Sequence, residues 1–343
     1  MSKKRATSQD VANAAGVSRT TVSLVLNNVS GVNISDATRK RVHEAARSLG
    51  YVPNATAQAL ATQRARAIGL VMTRSPQHIA SDTFLPQILS GLLEVVKKER
   101  FRLLIEIVDE NAGERAYIDL AQAKHIDGMI ILTPRTTDTG IKKLHEMNIP
   151  TVLIGEVPNC QLCSVQADDR AASKEAVKHL IDLGHHDIAC ILNSAAIYHN
   201  AQARLNGYRD ALTEAEIPYR ESLIRFADFD LESGQIAMKS LLEKENFSAV
   251  FVASDNVAMG AKTALHEASL RVPDDISLVG FDDIPWAAYS APPLTTVHIP
   301  AQEMATKACM LLLDLIHGKE LEKKRFYLDS ELIIRASTRP FKQ

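Results

Sequence analysis

The sequence predicts an α/β protein that carries a small all-α unit at its N terminus. Residues 1–66 show short helical patterns between capping residues, whereas residues 67–343 alternate short apolar strands with amphipathic helices. The two segments also differ in charge. Ten Lys/Arg and three Asp/Glu give residues 1–66 a formal charge of +7, although the whole chain has −2. A basic unit on an acidic body predicts a polyanionic partner for the first segment, but a solvated basic face explains the charge equally well.

Length and composition exclude several classes of protein. The 343 residues suggest about two domains, and 46% hydrophobic with 23% charged residues is typical of a globular protein. No apolar run reaches the ~20 residues of a membrane span, and no apolar stretch follows the basic N terminus, so a cytoplasmic location is expected. Cys160 and Cys163 form a C-x-x-C without a second ligand pair, so neither a disulfide framework nor a metal site is predicted.

Three short helices are predicted in the N-terminal unit from their caps. The first begins after Thr7 and ends at Gly16, the second begins after Ser18 and ends at Asn27, and the third occupies about 36–49. The first two, with a turn of about four residues, form a helix-turn-helix. Its second helix should expose a face suited to base edges and phosphates: Arg19, Thr20, Thr21, Ser23 and Leu24. A helical cap without a nucleic-acid role is the alternative.

The rest of the chain predicts parallel sheets covered by helices. More than eight strand–helix units do not fit one open sheet, so two lobes are expected. The predicted strands are 68–72, 103–108, 128–132, 150–154, 187–193, 222–226, 248–253 and 277–281. The predicted helices are 85–98, 114–124, 139–147, 171–183, 200–214, 232–244, 257–268 and 301–316.

The N-terminal residues carry an ordered family resemblance. They resemble the signature of the LacI (lactose-repressor) family of bacterial transcription regulators in the runs Asp10-Val11-Ala12, Ala15-Gly16-Val17-Ser18, Thr21-Val22-Ser23, Leu26-Asn27, Thr38-Arg39 and Leu49-Gly50-Tyr51-Val52-Pro53-Asn54. The resemblance implies a DNA-binding domain over 1–53 and a hinge helix and linker over 54–66.

The resemblance also implies DNA contacts for particular residues. Helix two would enter the major groove, with base-reading positions at Arg19, Thr20 and Leu24. Phosphate or sugar contacts fall on Thr21, Ser23, Asn27, Tyr51 and Asn54, and Thr7, Ser18 and Ala57 complete the predicted DNA-binding set. Segment 54–62 looks like the hinge helix that folds only on DNA, and Leu60 occupies the position that wedges into the minor groove. Such a wedge unstacks and kinks the duplex.

The body resembles the family's effector domain, which is similar to periplasmic sugar-binding proteins. The matching runs include Leu183-Gly184-His185, Arg204-Leu205-Asn206-Gly207-Tyr208, Ser254-Asp255-Asn256, Arg271-Val272-Pro273-Asp274 and Gly280-Phe281-Asp282-Asp283. The resemblance implies crossovers near 166, 292 and 324. Lobe 1 would then comprise about 67–166 and 293–323, and lobe 2 about 167–292 and 324–343.

A small-molecule effector is expected in the cleft at the carboxyl ends of the strands. Arg204 and Asp282 supply a donor and an acceptor for neighbouring hydroxyl groups, although a surface Arg and a turn Asp are the alternatives. Phe84 and Phe229 resemble the aromatic walls of the pocket but would also serve as core. Ser254 and Thr73 are further polar candidates. Asp255 and Asp283 are expected to be structural.

The predicted function is a DNA-binding transcriptional regulator, in particular a repressor. A homodimer would read a pseudo-palindromic operator, and a sugar or sugar derivative would control its affinity allosterically. Purines are the alternative ligand class. No Gly-x-Gly-x-x-Gly, phosphate loop or Gly-x-Ser-x-Gly elbow is present, so neither an enzyme nor a cofactor is expected. A solute-binding protein without DNA function is the remaining alternative.

Overall fold

The structure, a computed structural model, describes residues 6–27, 31–52, 64–108 and 115–342. The chain divides into two compact units, Met1–Arg66 and Ala67–Gln343, each of which is described by itself. Within the described ranges, no helix combines the length and apolar character needed to span a bilayer.

The N-terminal unit contains three helices: α1 (Ser8–Ala15), α2 (Arg19–Leu26) and α3 (Asp36–Ser48). Thr7 caps α1 in a reciprocal pair with Asp10, and Ser18 and Ser35 accept hydrogen bonds from the first turns of α2 and α3. Gly16 takes the left-handed conformation, with φ +64°, that ends α1. The small buried core consists of Val11, Ala12, Ala15, Val22, Val25, Val42, Ala45 and Ala46. The predicted helices and their caps are therefore confirmed.

The larger unit contains two six-stranded sheets, whose orders are β11-β5-β4-β3-β1-β2 and β12-β10-β9-β8-β6-β7. All neighbouring strands are parallel except β12, which runs antiparallel to β10. The strands are β1 (Ala67–Met72), β2 (Arg102–Ile107), β3 (Gly128–Leu132), β4 (Thr151–Ile154), β5 (Cys163–Ala167), β6 (Ile188–Leu192), β7 (Ile224–Phe226), β8 (Ala249–Val252), β9 (Ser277–Asp282), β10 (Thr295–His298), β11 (Arg325–Leu328) and β12 (Glu331–Ile333).

Nine helices described in this unit accompany the sheets. They are α4 (Pro76–Ser81), α5 (Leu85–Glu99), α6 (Arg115–Gln122), α7 (Thr139–Glu146), α8 (Asp169–Asp182), α9 (His199–Glu214), α10 (Leu231–Leu242), α11 (Asp255–Glu267) and α12 (Ala301–Ile316). The central strands are buried throughout because helices cover both faces of parallel sheets. The α/β class with two lobes is thus confirmed. Lobe 1 is built on the sheet that contains β1, and lobe 2 on the sheet that contains β6.

Two crossovers lie later in the chain than the resemblance implied. β10 pairs with β9, so the chain leaves the second sheet between residues 298 and 301 and not near 292. β11 pairs with β5, so the third crossing lies between 328 and 331 and not near 324. The predicted lobe boundaries are wrong at these two points. Turn residues in the sequence show where a strand begins. They do not show which sheet the strand joins, because that depends on which sheet edge is free to pair with it.

The sequence pattern also failed to predict five elements: α4, β5, β10, β11 and β12. These elements are short, with three to six residues each, and too few periods fall within them to be recognised. The ends of the predicted helices and strands otherwise agree with the structure to within about two residues, as expected of frayed ends.

The close packing of α5 against α12 depends on Gly91 of α5. A Cβ built on Gly91 would lie 2.2 Å from the carbonyl oxygen of Gln302 and 2.9 Å from Cβ of Ala305. The backbones of the two helices can approach this closely only because residue 91 has no side chain.

We predict that Gly91→Ala destabilises the protein by about 1–3 kcal/mol because the new methyl group overpacks the α5–α12 contact. Helix propensity alone predicts the opposite sign, a gain of about 1 kcal/mol. Urea unfolding of Gly91→Ala measures the change, and Ser90→Ala, at the exposed neighbouring position, is the matched control. Equal or greater stability of Gly91→Ala would contradict the packing account.

Candidate ligand cleft and nucleic-acid interface

The candidate ligand cleft lies between the two lobes, where strands from both sheets end. Arg74 and Thr133 follow β1 and β3 of lobe 1, and Asn193, Ser254 and Asp282 stand at the ends of β6, β8 and β9 of lobe 2. One section of the cleft is lined by Arg74, Asp82, Thr83, Phe84, Thr133, Asn193, Asn200, Arg204, Phe229, Ser254, Asn256 and Asp282. A second section shares Phe84, Thr133, Asn200 and Arg204 with it and continues past Glu156 and Gln166 to Met304.

Arg204 is the most heavily bonded side chain of the cleft. Its Nε donates to Asp169 Oδ1 at 2.7 Å, and one terminal nitrogen donates to the carbonyl oxygen of Ala253 at 2.6 Å. The other terminal nitrogen lies 3.7 Å from Asp282 Oδ1. The guanidinium also stacks over the Phe281 ring, 3.9 Å from its centroid. Arg204 is only 6% exposed, so its orientation is set by these contacts before any ligand arrives.

Asp282 reaches the cleft from a strained turn. Its φ is +107° and that of Asp283 is +52°, which are unusual values for residues with side chains. Asp255 stabilises the turn from within the protein, since its carboxylate accepts bonds from the Ile284 amide at 2.9 Å and the Thr296 hydroxyl at 2.6 Å. Asp255 is fully buried and Asp283 pairs with Arg335, which agrees with the structural roles expected of both residues.

The carboxyl groups at this turn are hard to ionise. Burial raises the pKa of Asp282 from 3.8 to about 7, and the neighbouring Arg204 charge offsets part of the effect. Burial, followed by the charge of Asp282, raises the pKa of Asp255 well above its usual range. Asp282 therefore changes charge near neutral pH.

Contacts across the cleft join the segment after β1 to lobe 2. The Arg74 guanidinium pairs with Asp82 at 2.7 Å and lies 4.8 Å from the centroid of the Phe229 ring. Asn256 Nδ2 donates to the carbonyl oxygens of Phe229 at 2.8 Å and Ser81 at 3.3 Å. A ligand in the cleft therefore touches groups of both lobes.

Several buried polar atoms in and around the cleft have no hydrogen-bond partner among the described residues. They are Thr73 Oγ1, Arg74 Nε, Thr83 Oγ1, Asn193 Oδ1 and Ser194 Oγ. An unsatisfied buried polar atom costs about 1–3 kcal/mol, so their concentration at one place needs an explanation. A polar molecule bound in the cleft could supply partners for Arg74, Thr83 and Asn193, which line it.

Five of the six predicted effector-binding residues come together in one wall of this cleft: Phe84, Arg204, Phe229, Ser254 and Asp282. Thr73 is buried but does not line either section, because Arg74, the next residue of the extended chain, is the one that reaches the cleft. The sequence reasoning missed Arg74, Asp169, Asn193 and Asn256. Their position at or just beyond a strand end or at the start of a helix was the signal that could have found them.

The predicted DNA-contacting residues of the N-terminal unit fall into two groups. Arg19 and Thr20 are exposed on α2, and Arg19 Nε donates to the Ser8 hydroxyl at 3.1 Å. Thr21, Ser23 and Leu24 are half-buried and not fully exposed as predicted, since α2 is flanked by α1 and α3.

The remaining predicted positions act mainly at helix ends. Thr7 and Ser18 are N-caps, Asn27 ends α2 and donates to the Ser23 hydroxyl, and Tyr51 packs against the small core. A cap can also face a phosphate, because its helix N terminus attracts anions. Asn54, Ala57 and Leu60 lie outside the described residues.

In the described part of the chain, no three His, Cys, Asp or Glu side chains are grouped as metal ligands would be. The four cysteines are buried and unpaired. Burial raises the pKa of Cys163 to about 11 and that of Cys309 to about 12, so both behave as unreactive thiols.

Two family models match the chain. Residues 7–54 match the bacterial regulatory proteins of the lacI family, and residues 177–338 match a periplasmic binding protein-like domain. The HTH-type transcriptional regulator DegA of Bacillus subtilis is 36% identical over 98% of this chain and 99% of its own length. The HTH-type transcriptional regulator CelR of Thermobifida fusca is 33% identical over 98% of this chain and 99% of its own length. The chain belongs to the lacI family.

Solved structures agree with this membership. A lac repressor dimer bound to operator and the anti-inducer ONPF matches with a TM-score of 0.85 and 30% identity, over 98% of this chain and 100% of that one. A complex of the regulator CelR with cellobiose matches with a TM-score of 0.74 and 33% identity, over 97% of this chain and 100% of that one. The resemblance stated from the sequence is confirmed. Since the lacI family consists of regulatory proteins, the prediction that the chain is not an enzyme is also confirmed.

We predict that the titration of Asp282 lowers the free energy of unfolding as pH rises from about 4 to about 7, whereas the lowered pKa values of His179 and His185 contribute in the opposite direction. The folded protein keeps a proton on Asp282 up to a pKa of about 7, whereas the unfolded chain releases it near 3.8. At this residue the folded state therefore binds more protons in this window, and through this group raising the pH favours unfolding. Asp282→Asn should remove this part of the slope. Urea unfolding across the window measures it, with the exposed Asp119→Asn as control. Identical slopes for wild type and Asp282→Asn would exclude this titration.

Proposed function

We propose that the protein is a DNA-binding transcriptional regulator, acting as a repressor, whose operator affinity is controlled by a small molecule in the cleft of residues 67–343. The observation that carries the proposal is the combination, in one lacI-family chain, of a capped helix-turn-helix and a cleft with unsatisfied polar atoms. The close relatives carry the names of transcriptional regulators and repressors.

The N-terminal unit supports the DNA-binding part of the proposal. Ser18 holds the N terminus of α2 through the Thr21 amide at 3.1 Å, so α2 presents Arg19 and Thr20 from a defined position. Arg is well suited to guanine edges and phosphates in the major groove. The formal charge of +7 on residues 1–66 supplies the sequence-independent attraction to the duplex.

We further propose that the active form is a homodimer. In lobe 1, apolar side chains are exposed on the edge strand β2 at Ile105 and Ile107 (50% and 47%) and on α5 at Leu93 (52%). In lobe 2, Phe226 of the edge strand β7 and Ile236 of α10 are 51% and 61% exposed. A second copy related by a twofold axis would cover both edges and bring two N-terminal units to the two halves of a pseudo-palindrome.

The cleft supports a polar effector, and we propose a sugar or sugar derivative. Phe84 and Phe229 offer apolar faces, while Arg204 and Asp282 offer a donor and an acceptor side by side. Such a combination suits a ring with neighbouring hydroxyl groups. The cellobiose complex of the related CelR is consistent with this ligand class.

Arg19→Ala is predicted to weaken operator binding by about 5- to 150-fold, which corresponds to the loss of one good base contact of about 1–3 kcal/mol. Fluorescence anisotropy with a genomic operator fragment measures the affinity, and Lys40→Ala, an exposed basic residue on α3, is the control for net charge. Affinity should also fall steeply with salt in every variant that binds. Unchanged affinity of Arg19→Ala would remove α2 from the DNA interface.

A substitution at Arg204 should separate the response to effector from DNA binding itself. Arg204→Lys keeps a positive charge but cannot maintain the bonds to both Asp169 and Ala253, so the effector should change operator affinity much less. Operator binding without effector should stay within about threefold of wild type. Arg170→Lys, which alters an exposed pair with Asp210, is the matched control. A normal effector response in Arg204→Lys would show that the cleft is not the control site.

A further inference from the structure

We propose that lobe 1 carries a second DNA-binding surface, which contacts the phosphate backbone of the duplex that the N-terminal unit binds. The surface is the edge formed by the amino ends of the lobe 1 strands. The inference rests on the proposed function, since it adds a surface to the same DNA complex. It is carried by the charge of this edge, by its unpaired Lys and Arg side chains, and by the contrast with the equivalent edge of lobe 2.

The topology brings the amino ends of the lobe 1 strands together. All six strands are parallel, so their first residues share one edge, and α5, α6, α7 and α12 end there because each precedes a strand. The chain also enters lobe 1 here. Arg64 and Arg66 directly precede β1, and residues 53–63 join them to the described part of the N-terminal unit. The amino edge of lobe 1 comprises residues 64–67, 96–102, 119–128, 143–151 and 313–324.

The amino edge of lobe 1 has an excess of positive charge. Its segments contain eleven Lys/Arg and seven Asp/Glu. Arg325, the first residue of β11, does not add to this excess, because its guanidinium pairs with Glu156, which follows the carboxyl end of β4. The four helix C termini carry roughly half a negative charge each, which offsets only part of the excess.

Most of the cations at this edge have no carboxylate partner. Seven of them are exposed and form no ion pair with any described residue: Arg66, Lys97, Lys98, Arg100, Arg102, Lys124 and Lys324. Lys323 lies over the Phe326 ring, with Nζ 5.5 Å from the centroid. Like charges collected on one face repel one another, and a bound polyanion relieves that repulsion.

The equivalent edge of lobe 2 has the opposite charge. It comprises residues 179–188, 211–224, 239–249, 264–277 and the C-terminal segment 337–342, which bonds to Leu183 and Ser277. It contains six Lys/Arg and ten Asp/Glu, although four helices end there too.

Most cations of the lobe 2 edge are already paired with carboxylates. The pairs are Arg220 with Asp187, Lys239 with Glu267, Arg271 with Asp275 and Arg339 with Asp274, at 3.0, 2.7, 2.9 and 2.6 Å. Helix dipoles and solubility impose the same requirements on both lobes. They therefore do not explain why only the edge of lobe 1 collects unpaired cations.

A phosphate-binding edge gives lobe 1 an attraction to DNA that the body as a whole lacks. The chain has a formal charge of −2 and residues 1–66 have +7, so residues 67–343 carry −9 and would be repelled by a duplex if that charge were evenly spread. Unpaired cations at the edge where the chain enters lobe 1 reverse the sign locally. Contacts to phosphates strengthen binding to every duplex and leave the reading of sequence to base contacts.

Two double variants of the full-length protein test the surface at opposite ends of the sheet. Lys97→Gln/Lys98→Gln acts beside β2, and Lys323→Gln/Lys324→Gln acts beside β11. Anisotropy with the operator fragment and with a random duplex gives the affinities over a range of KCl concentrations. We expect each variant to bind both duplexes roughly five- to tenfold more weakly at about 0.1 M salt. The slope of log affinity against log salt should become shallower by about 1, the value for one lost phosphate contact.

The matched control removes two unpaired, exposed lysines from the edge of lobe 2. Lys244→Gln/Lys342→Gln changes the net charge equally and should alter neither the affinity nor the salt slope. The ratio of operator to random-duplex affinity should stay at the wild-type value in both lobe 1 variants. A base-reading residue such as Arg19 should change that ratio instead.

The outcomes separate this proposal from the proposed function. Wild-type affinities and salt slopes in both lobe 1 variants overturn the proposal, and the regulator function stands if wild type still prefers the operator. An equal loss in the lobe 2 control overturns it too, because net charge alone would then be responsible. A loss confined to Lys97→Gln/Lys98→Gln, with dissociation into monomers by sedimentation velocity, also overturns it. Wild-type protein that binds no operator would instead refute the proposed function.

Discussion

The arrangement of the cleft follows from the cost of burying two arginine side chains. Arg74 and Arg204 are each 6% exposed, and a buried guanidinium without a compensating carboxylate is strongly unfavourable. Asp82 and Asp169 meet this requirement at 2.7 Å each. The pairs do not exhaust the donors, since Arg74 Nε has no partner among the described residues. Each of the two buried guanidinium charges is therefore paired with a carboxylate, while hydrogen-bonding capacity remains for a polar ligand.

The same cleft connects ligand contact to the geometry of the lobes. Asp282 stands on a left-handed turn that Asp255 holds from inside lobe 2, and Arg74 extends from lobe 1 onto the Phe229 ring. A ligand that bonds to both Arg74 and Asp282 acts on the two lobes at once. Its binding energy can then favour one lobe arrangement over another, which is the thermodynamic requirement for allosteric control.

Much of the fold could be predicted from local sequence signals. Caps at Thr7 and Ser18 and the glycine at position 16 define the first two helices, because these residues satisfy backbone groups within one or two turns. The long apolar strands and amphipathic helices were recognisable from their periods. By contrast, β10 and β11 contain four residues each, and their sheet membership depends on pairing: β11 pairs with β5, about 160 residues earlier, and β10 pairs with β9 and with β12, which follows the last two crossings between lobes. No local pattern contains that information.

The candidate site was predictable to a similar extent. Arg204 and Asp282 were found because a family pattern and a strand end point to them, and Phe84, Phe229 and Ser254 join them in the cleft. The pairing of Arg74 with Asp82 and of Arg204 with Asp169 was not predictable, since it depends on side-chain directions in the folded chain. These ion pairs became visible only in three dimensions.

The most direct test of the account is the operator affinity of the full-length protein, measured against genomic and random duplexes with sugars and sugar derivatives absent and present. The account predicts a marked preference for one genomic fragment and a change in that preference with one of these compounds. Equal affinity for all duplexes under every condition, or a preference that no sugar or sugar derivative alters, would contradict it.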